Sequence, residues 1–248
     1  MRTSRPDDIP ALTALWQLCF GDPAEAVQGF FATLWEEITV FQTEDASAML
    51  TAMPVSWQGH PAAYLYAVGT HPDHRGQGLC RELMTFAEET LKSRGCSYSI
   101  LSPAEESLFR FYGNMGYETC FFAETRKFST GECAETAVSV TAEQYGLLRK
   151  NRMPEGVQYP ESLLQMQKSF GFLLQIGETG CAAVERHGDG FLVRELLADD
   201  PAAAAAAVCR FCNAQEITCK IPGSVPYGMA KSLDGSPLSD SWLGLAFE

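Results

Sequence analysis

The segment Arg75–Cys80 (Arg-Gly-Gln-Gly-Leu-Cys) carries residue types that can bind a diphosphate group. It lies between a predicted strand and a predicted helix, so the first backbone N–H groups of that helix have no intrahelical acceptor. Gly76 and Gly78 let the backbone bend and an anion come close, and the helix dipole adds partial positive charge there. Arg75 adds a formal charge. The segment matches neither a Walker loop nor the Gly-x-Gly-x-x-Gly dinucleotide pattern.

The elements that must hold this segment follow from the apolar pattern. The apolar and aromatic run Ala62–Val68 predicts a buried central strand. Apolar residues recur at helical spacing after Leu79, which predicts a helix that continues to Gly95. Three further helices are expected in the first half: Ile9–Phe20, capped by Asp7 or Asp8 and ended by Gly21; Ala24 to about Glu37; and one opened by Pro103. The further expected strands are Ile38–Gln42, Ala48–Trp57, Ser97–Leu101 and Thr119–Phe128, the last of which is either one strand or a pair.

The second half has its own pattern of strands and one helix. The composition turns polar around Ser129–Glu135, which places a boundary between domains 1–130 and 131–248. Asp199-Asp200-Pro201 caps a helix built on Ala202–Ala207. Strands are expected at Phe170–Ile176, Cys181–Arg186, Phe191–Leu197 and Ile217–Ile221. The order of strands and helix repeats the middle of the first half, which indicates a degenerate internal repeat.

The stretch Val68–Leu79 resembles the acetyl-CoA-binding segment of the GNAT acetyltransferases. The family signature is Arg or Gln, two residues, Gly, one residue, then Gly or Ala; here it is Arg75, Gly78 and Cys80, the last of which departs from the pattern. The resemblance implies that acetyl-CoA is a co-substrate, without a metal. It implies these cofactor-binding residues: Val68, Gly69, Thr70, Arg75, Gly76, Gln77, Gly78, Leu79 and Cys80. Because Cys80 would lie at the phosphates, it is not expected to be a nucleophile.

A second match is Leu108–Tyr117, which resembles the family's helix that ends in Tyr and is followed by Gly and an aromatic residue. The resemblance implies that Tyr112 is catalytic and protonates the departing CoA thiolate, a role that a phenol can fill. The alternative is that Tyr112 only packs beside neighbouring aromatic residues. Glu105 stands where the family often has an asparagine that contacts the cofactor.

The chain layout also resembles tandem GNAT proteins of the Eis type. The implied fold class is α/β (α+β): a central mixed, twisted sheet flanked by helices, followed by a smaller GNAT-like domain without a cofactor loop. The strand ending at Val68 would diverge from Ser97–Leu101 and hold the pantetheine arm in the gap. The Val68 N–H would polarise the thioester carbonyl, and an amine would attack it directly. No general base is identified; His71 and His74 are weaker candidates than a water relay or a neutral amine.

Charge and composition limit the partners. The formal net charge is −13, which disfavours nucleic acid and suits a cationic amine acceptor, although solubility alone also explains it. An odd count of nine cysteines argues against a disulfide framework. No signal peptide or membrane span is expected, so the cytoplasm is the expected location.

Two functions remain open from the sequence. The first is an N-acetyltransferase that acts on a primary amine of a small molecule or a peptide. The alternative is a catalytically silent module that binds acyl-CoA as a sensor or an interaction partner. The Arg75–Cys80 segment supports both, whereas Tyr112 favours the enzyme. The acceptor and the oligomeric state, including a homo-oligomer, stay open.

Overall fold

The computed structural model describes residues 1–132 and 134–246. Cys133, counted above among the cysteines, lies outside the described residues. The helices are α1 (Ile9–Phe20), α2 (Ala24–Leu34), α3 (Leu79–Ser93), α4 (Glu106–Gly113), α5 (Ala142–Arg152), α6 (Glu161–Ser169) and α7 (Pro201–Cys212). The strands are β1 (Arg2–Thr3), β2 (Thr39–Gln42), β3 (Ala48–Trp57), β4 (His60–Thr70), β5 (Tyr98–Leu101), β6 (Glu118–Ser129), β7 (Ala137–Ser139), β8 (Gly171–Ile176), β9 (Gly180–His187), β10 (Gly190–Leu197), β11 (Glu216–Pro222) and β12 (Val225–Ser232).

The chain divides into two compact units. Unit 1 comprises Met1–Ser56, His60–Glu118 and Met229–Leu238. Unit 2 comprises Trp57–Gly59, Thr119–Gly228 and the described part of Ser239–Glu248. This division differs from a boundary between residues 130 and 131, because β6 falls almost wholly in unit 2 and Met229–Leu238 returns to unit 1.

Unit 1 contains a mixed sheet with helices on both faces. The strand order is β1-β2-β3-β4-β5, and the last residues of β12 continue it beside β5. β4 and β5 run parallel, whereas β1–β2, β2–β3 and β5–β12 are antiparallel. The apolar side of α3 packs on Ala63 and Leu65 of β4. Tyr66, on the other face of β4, contacts Trp16 of α1 with ring centroids 5.4 Å apart.

The strands of unit 2 lie in the order β6-β11-β10-β9-β8-β7. Here β10 and β11 run parallel and the other pairs are antiparallel. Small side chains allow α7 to pack closely on this sheet, with Ala204, Ala205 and Val208 fully buried.

A buried ion pair fixes the final described segment in unit 2. Arg149 Nε lies 2.8 Å from Glu195 Oε1, and both side chains are almost completely buried. The Tyr145 hydroxyl and the Trp242 indole N–H also donate to this carboxylate (2.7 and 2.5 Å). A buried carboxylate with these donors is fully satisfied, so we assign this cluster a structural role.

Most elements expected around the glycine segment are confirmed. Helix α1 ends before Gly21, which has a φ of +82°. Strand β3 has the expected bounds, and α3 begins at Leu79. The Asp200 cap of α7 is also confirmed.

Three expectations are wrong in detail. The Asp8 side chain does not cap α1, because it accepts hydrogen bonds from Arg2 and from the Arg5 N–H instead. Helix α2 ends at Leu34, before Glu37. Pro103 does not open α4, which begins at Glu106. The open question at Thr119–Phe128 is resolved as one strand, β6. The elements β1, α5, α6, β7 and β12 had no expected counterpart.

Candidate active site

Strand β4 stops pairing with β5 before it ends. Its register pairs Ala62–Tyr64 with Tyr98–Ile100 of β5, and β4 then continues to Thr70. Within this stretch Ala67 has a φ of +50°, a conformation that is uncommon for a residue with a side chain. Such a residue interrupts a strand ladder and stores strain, and strained residues cluster at functional sites. The divergence expected between the two strands therefore has a local backbone distortion beside it.

The loop after β4 leaves the start of α3 open. A short 3₁₀ turn, Pro72–His74, is followed by Gly76 and Gly78, with φ of +76° and +85°. Gly78 is the N-cap of α3 and provides no side-chain cap. The first backbone bond at this end runs from the Glu82 N–H to the Gly78 carbonyl (3.1 Å). The N–H groups of Leu79–Arg81 consequently have no intrahelical acceptor.

Two arginines flank this open helix end. Arg75 Nε donates to the carbonyl of Thr70, the last residue of β4 (3.1 Å). Arg81 Nη1 donates to the carbonyl of Asn114, just after α4 (3.1 Å). These bonds hold two cationic side chains near the partial positive charge of the helix dipole, an arrangement that favours an anion.

A cavity of about 780 Å³ joins the loop to α4. Nine of the sequence-predicted site residues line it: Val68, Gly69, Thr70, Arg75, Gly76, Gly78, Leu79, Cys80 and Tyr112. Gln77 does not line it; its side-chain amide donates to the Asp73 carbonyl at 3.4 Å. Of the two histidines beside the loop, His74 lines the cavity, whereas His71 Nδ1 accepts a hydrogen bond from the Asp73 N–H.

Tyr112 reaches the cavity from the end of α4. Its side chain is only 7% exposed and contacts the rings of Phe111 and Tyr117, so it does pack in the core. Its hydroxyl makes no hydrogen bond to another of the described residues. Burial, together with the nearby Cys80 thiol, raises the pKa of Tyr112, so the phenol keeps its proton at neutral pH.

Cys80 lies closer to Tyr112 than expected for a residue at the phosphates. Both side chains line the cavity, and the Cys80 thiol contributes to the raised pKa of Tyr112. Burial raises the pKa of Cys80 to about 11. The side chain is therefore a neutral thiol at physiological pH and a poor nucleophile.

Comparison with known proteins identifies the first half of the chain. Residues 1–120 match the family described as acetyltransferase (GNAT) domain. Residues 1–120 are therefore similar to a GNAT acetyltransferase domain. An acetyltransferase from Pectobacterium atrosepticum is 27% identical to it over 127 residues, which are 48% of this chain and 87% of that protein.

Solved structures extend the likeness to the second half. A GCN5-related N-acetyltransferase from Anabaena variabilis matches with a TM-score of 0.71 and 17% identity, over 94% of this chain and 73% of that chain. Eis1 from Mycobacterium abscessus matches with a TM-score of 0.64 and 13% identity, over 93% and 72%. These identities establish fold alone. The GNAT fold class and the two-domain layout expected from the resemblance are confirmed.

The cavity between the loop and α4 is also lined by residues that sequence reasoning missed. Cys19 and Phe20, at the end of α1, line it and approach Gly69 so closely that an added Cβ would lie 3.1 Å from the Cys19 sulfur. The glycine at position 69 was a usable signal for this close approach. Ala67 gave no signal, since alanine rarely adopts a positive φ. Glu105 was noted only as a departure from the family, yet it lines the cavity.

Two further observations concern metal ligands and membrane spans. No cluster of three or more histidine, cysteine or carboxylate side chains in the described ranges is arranged to hold a metal ion. Across residues 1–132 and 134–246, no helix is both long and apolar enough to cross a bilayer.

Proposed function

We propose that this protein transfers the acetyl group of acetyl-CoA to a primary amine by direct attack. The observation that supports this most is the shared cavity, because it joins the open end of α3, the end of β4 beyond its last pair with β5, and the Tyr112 side chain. An anion-binding helix end, a strand edge and a proton donor are the three parts that such a transfer needs.

The donor would occupy the cavity from the loop toward Tyr112. Its diphosphate would accept hydrogen bonds from the N–H groups that follow Gly76, with Arg75 and Arg81 supplying positive charge. Its pantetheine arm would bond to the backbone of Val68 and Thr70, beyond the last pair with β5. Gly69 leaves room there for the end of α1.

The reaction would proceed without an acyl-enzyme. The amine nitrogen forms a bond to the thioester carbon while the Val68 N–H stabilises the carbonyl oxygen. The tetrahedral intermediate then breaks its C–S bond, and the sulfur takes the proton of the Tyr112 hydroxyl. The proton lost by the amine passes to water, and water returns a proton to the Tyr112 phenolate. The neutral thiol of Cys80 takes no part.

Glu105 is the feature that favours a cationic acceptor. It is the only carboxylate among the described residues that line the cavity, and its side chain is exposed. A carboxylate at the mouth gives an arriving ammonium group a counter-charge, which suits an amine of a small molecule or a peptide. Its partner in the structure is the Ser107 hydroxyl, which donates to it.

Calorimetry and turnover together test this function. We expect acetyl-CoA to bind the purified full-length chain, and a panel of primary amines to release free CoA thiol in its presence. Binding without thiol release for any amine would instead support a silent acyl-CoA-binding module. Absence of binding would contradict both functions.

Tyr112→Phe separates catalysis from binding. Loss of the proton donor should lower kcat by about 100-fold, whereas the Kd for CoA should change by less than about twofold. Tyr159→Phe is a matched control, since it removes a buried hydroxyl that bonds to the Leu243 carbonyl in unit 2. An unchanged kcat in Tyr112→Phe would remove this residue from the mechanism.

A further inference from the structure

The far end of the chain completes unit 1. Residues Met229–Ser232 of β12 pair antiparallel with Tyr98–Leu101 of β5. The Leu233 N–H then donates to the Ser97 carbonyl (2.8 Å), so the bonding continues past the strand. Met229 and Leu233 are buried in the same apolar core as Tyr112. This segment is therefore part of the packing around the candidate active site.

Lys231, in this segment, supplies the counter-charge of a buried carboxylate. Its Nζ lies 2.5 Å from Glu88 Oε2, and Glu88 is a residue of α3 that is only 7% exposed. The Tyr117 hydroxyl donates to Glu88 Oε1 at 2.8 Å and lies 2.6 Å from the Ser99 hydroxyl. Both carboxylate oxygens thus have a partner, as a buried charge requires.

This network ends at the ring of Tyr112. The rings of Tyr117 and Tyr112 meet edge to face, with centroids 6.0 Å apart, and the Tyr117 N–H donates to the Tyr112 carbonyl (3.2 Å). Because the Tyr112 hydroxyl has no hydrogen bond to the described residues, its position depends on the groups that pack against its ring. Tyr117 is one of those groups, and the hydrogen bond to Glu88 fixes the hydroxyl of Tyr117.

We propose that Lys231 is a positioning residue for Tyr112, acting through Glu88 and Tyr117. Without the ammonium group, Glu88 is a buried carboxylate without its counter-charge. It must turn toward water, and this movement alters its bond to Tyr117. The ring of Tyr112 then loses a fixed neighbour. The inference rests on the function proposed above for Tyr112. It makes the GNAT site dependent on a side chain near the opposite end of the chain.

Lys231→Met in the full-length chain tests this role. We expect kcat to fall by about tenfold, while the Kd for CoA stays within about twofold. Lys231→Arg, which keeps the charge, should recover most of the loss. Lys127→Met is the control, because it breaks an exposed lysine–glutamate pair in unit 2 (3.1 Å to Glu216) and should leave kcat unchanged. A Lys231→Met variant with full kcat per folded molecule would overturn the proposal.

A double variant tests the route. The neutral amide that Glu88→Gln introduces can still accept a hydrogen bond from Tyr117, and it needs no counter-charge. In a Glu88→Gln background, Lys231→Met should therefore slow the reaction by less than about twofold. An equal tenfold loss in both backgrounds would exclude Glu88 as the link.

A readout independent of turnover separates this inference from the proposed function. The ring signals of Tyr112, assigned by their loss in Tyr112→Phe, are followed by NMR in tyrosine-labelled protein. Lys231→Met should shift them in the wild-type background and not in Glu88→Gln. If the wild type turns over no amine, the proposed function fails. If the Tyr112 signals do not shift in Lys231→Met, the positioning role of Lys231 is overturned, whether or not the wild type is active.

Discussion

The helix that follows a parallel-paired strand begins in opposite ways in the two units. In unit 1, β4 leads through two left-handed glycines to α3, whose N-cap Gly78 has no side chain. In unit 2, β10 leads to α7, whose N-cap Asp200 accepts hydrogen bonds from the N–H groups of Ala202 (2.9 Å) and Ala203 (3.1 Å). Both helices have a dipole, but only α3 has free donors at its start.

The residues around each start reinforce this difference. Pro201, the first residue of α7, has no N–H to offer, and Asp200 places negative charge beside it. Arg75 and Arg81 instead place positive charge beside α3. An anion site therefore depends on which donors a helix leaves unsatisfied and on the charges near them, and not on the helix alone.

The largest expected effect on CoA binding comes from giving α3 an aspartate at its N-cap, the residue type that α7 has there. Gly78→Asp adds an anionic side chain at the N-cap position. We expect the Kd for CoA to rise by about 100-fold, because the carboxylate repels the diphosphate and occupies backbone N–H groups at the start of α3. Gly78→Ala is the control for backbone strain, because an added Cβ meets nothing closer than 3.9 Å. Calorimetry compares the three proteins. If alanine and aspartate weaken binding equally, strain and not the cap explains the loss.

Removal of one positive charge beside α3 should weaken CoA binding by a smaller factor. Arg75→Ala should raise the Kd for CoA by about tenfold, since one charge-assisted contact is lost and the backbone donors remain. Added salt should reduce the difference in the Kd for CoA between Arg75→Ala and the wild type. Arg126→Ala removes an exposed arginine of unit 2 that pairs with Glu124 and serves as the control. Equal losses in both arginine variants would argue for a general effect of net charge.

The smallest expected effect on binding comes from opening α7. Asp200→Ala removes the side-chain cap, so the free energy of unfolding should fall by about 1 kcal/mol in urea denaturation. The Kd for CoA should not change, because the donors of α7 are not part of the cavity in unit 1. Weaker CoA binding by folded Asp200→Ala would show that the two helix starts are not independent.

Much of this contrast could be predicted from local sequence. The glycines at 76 and 78, the cap at Asp200-Pro201 and the periodicity of α3 depend on a few neighbouring residues, and each matches the structure. Three details at element ends are wrong, such as the early end of α2, because tertiary contacts move the ends of helices. The roles of Tyr112 and the loop residues stay predictions.

The sequence by itself determined the start of α3 and the order of elements from β4 to α4, since backbone conformation and caps are set by adjacent residues. Only the tertiary structure decided that Met229–Ser232 pairs with β5, that Lys231 meets Glu88, and that Glu105 and Cys80 share a cavity with Tyr112. Glu88 and Lys231 are far apart in the chain, and no local pattern specifies such a pairing; it follows from the burial of Met229 and Leu233 in the core of unit 1.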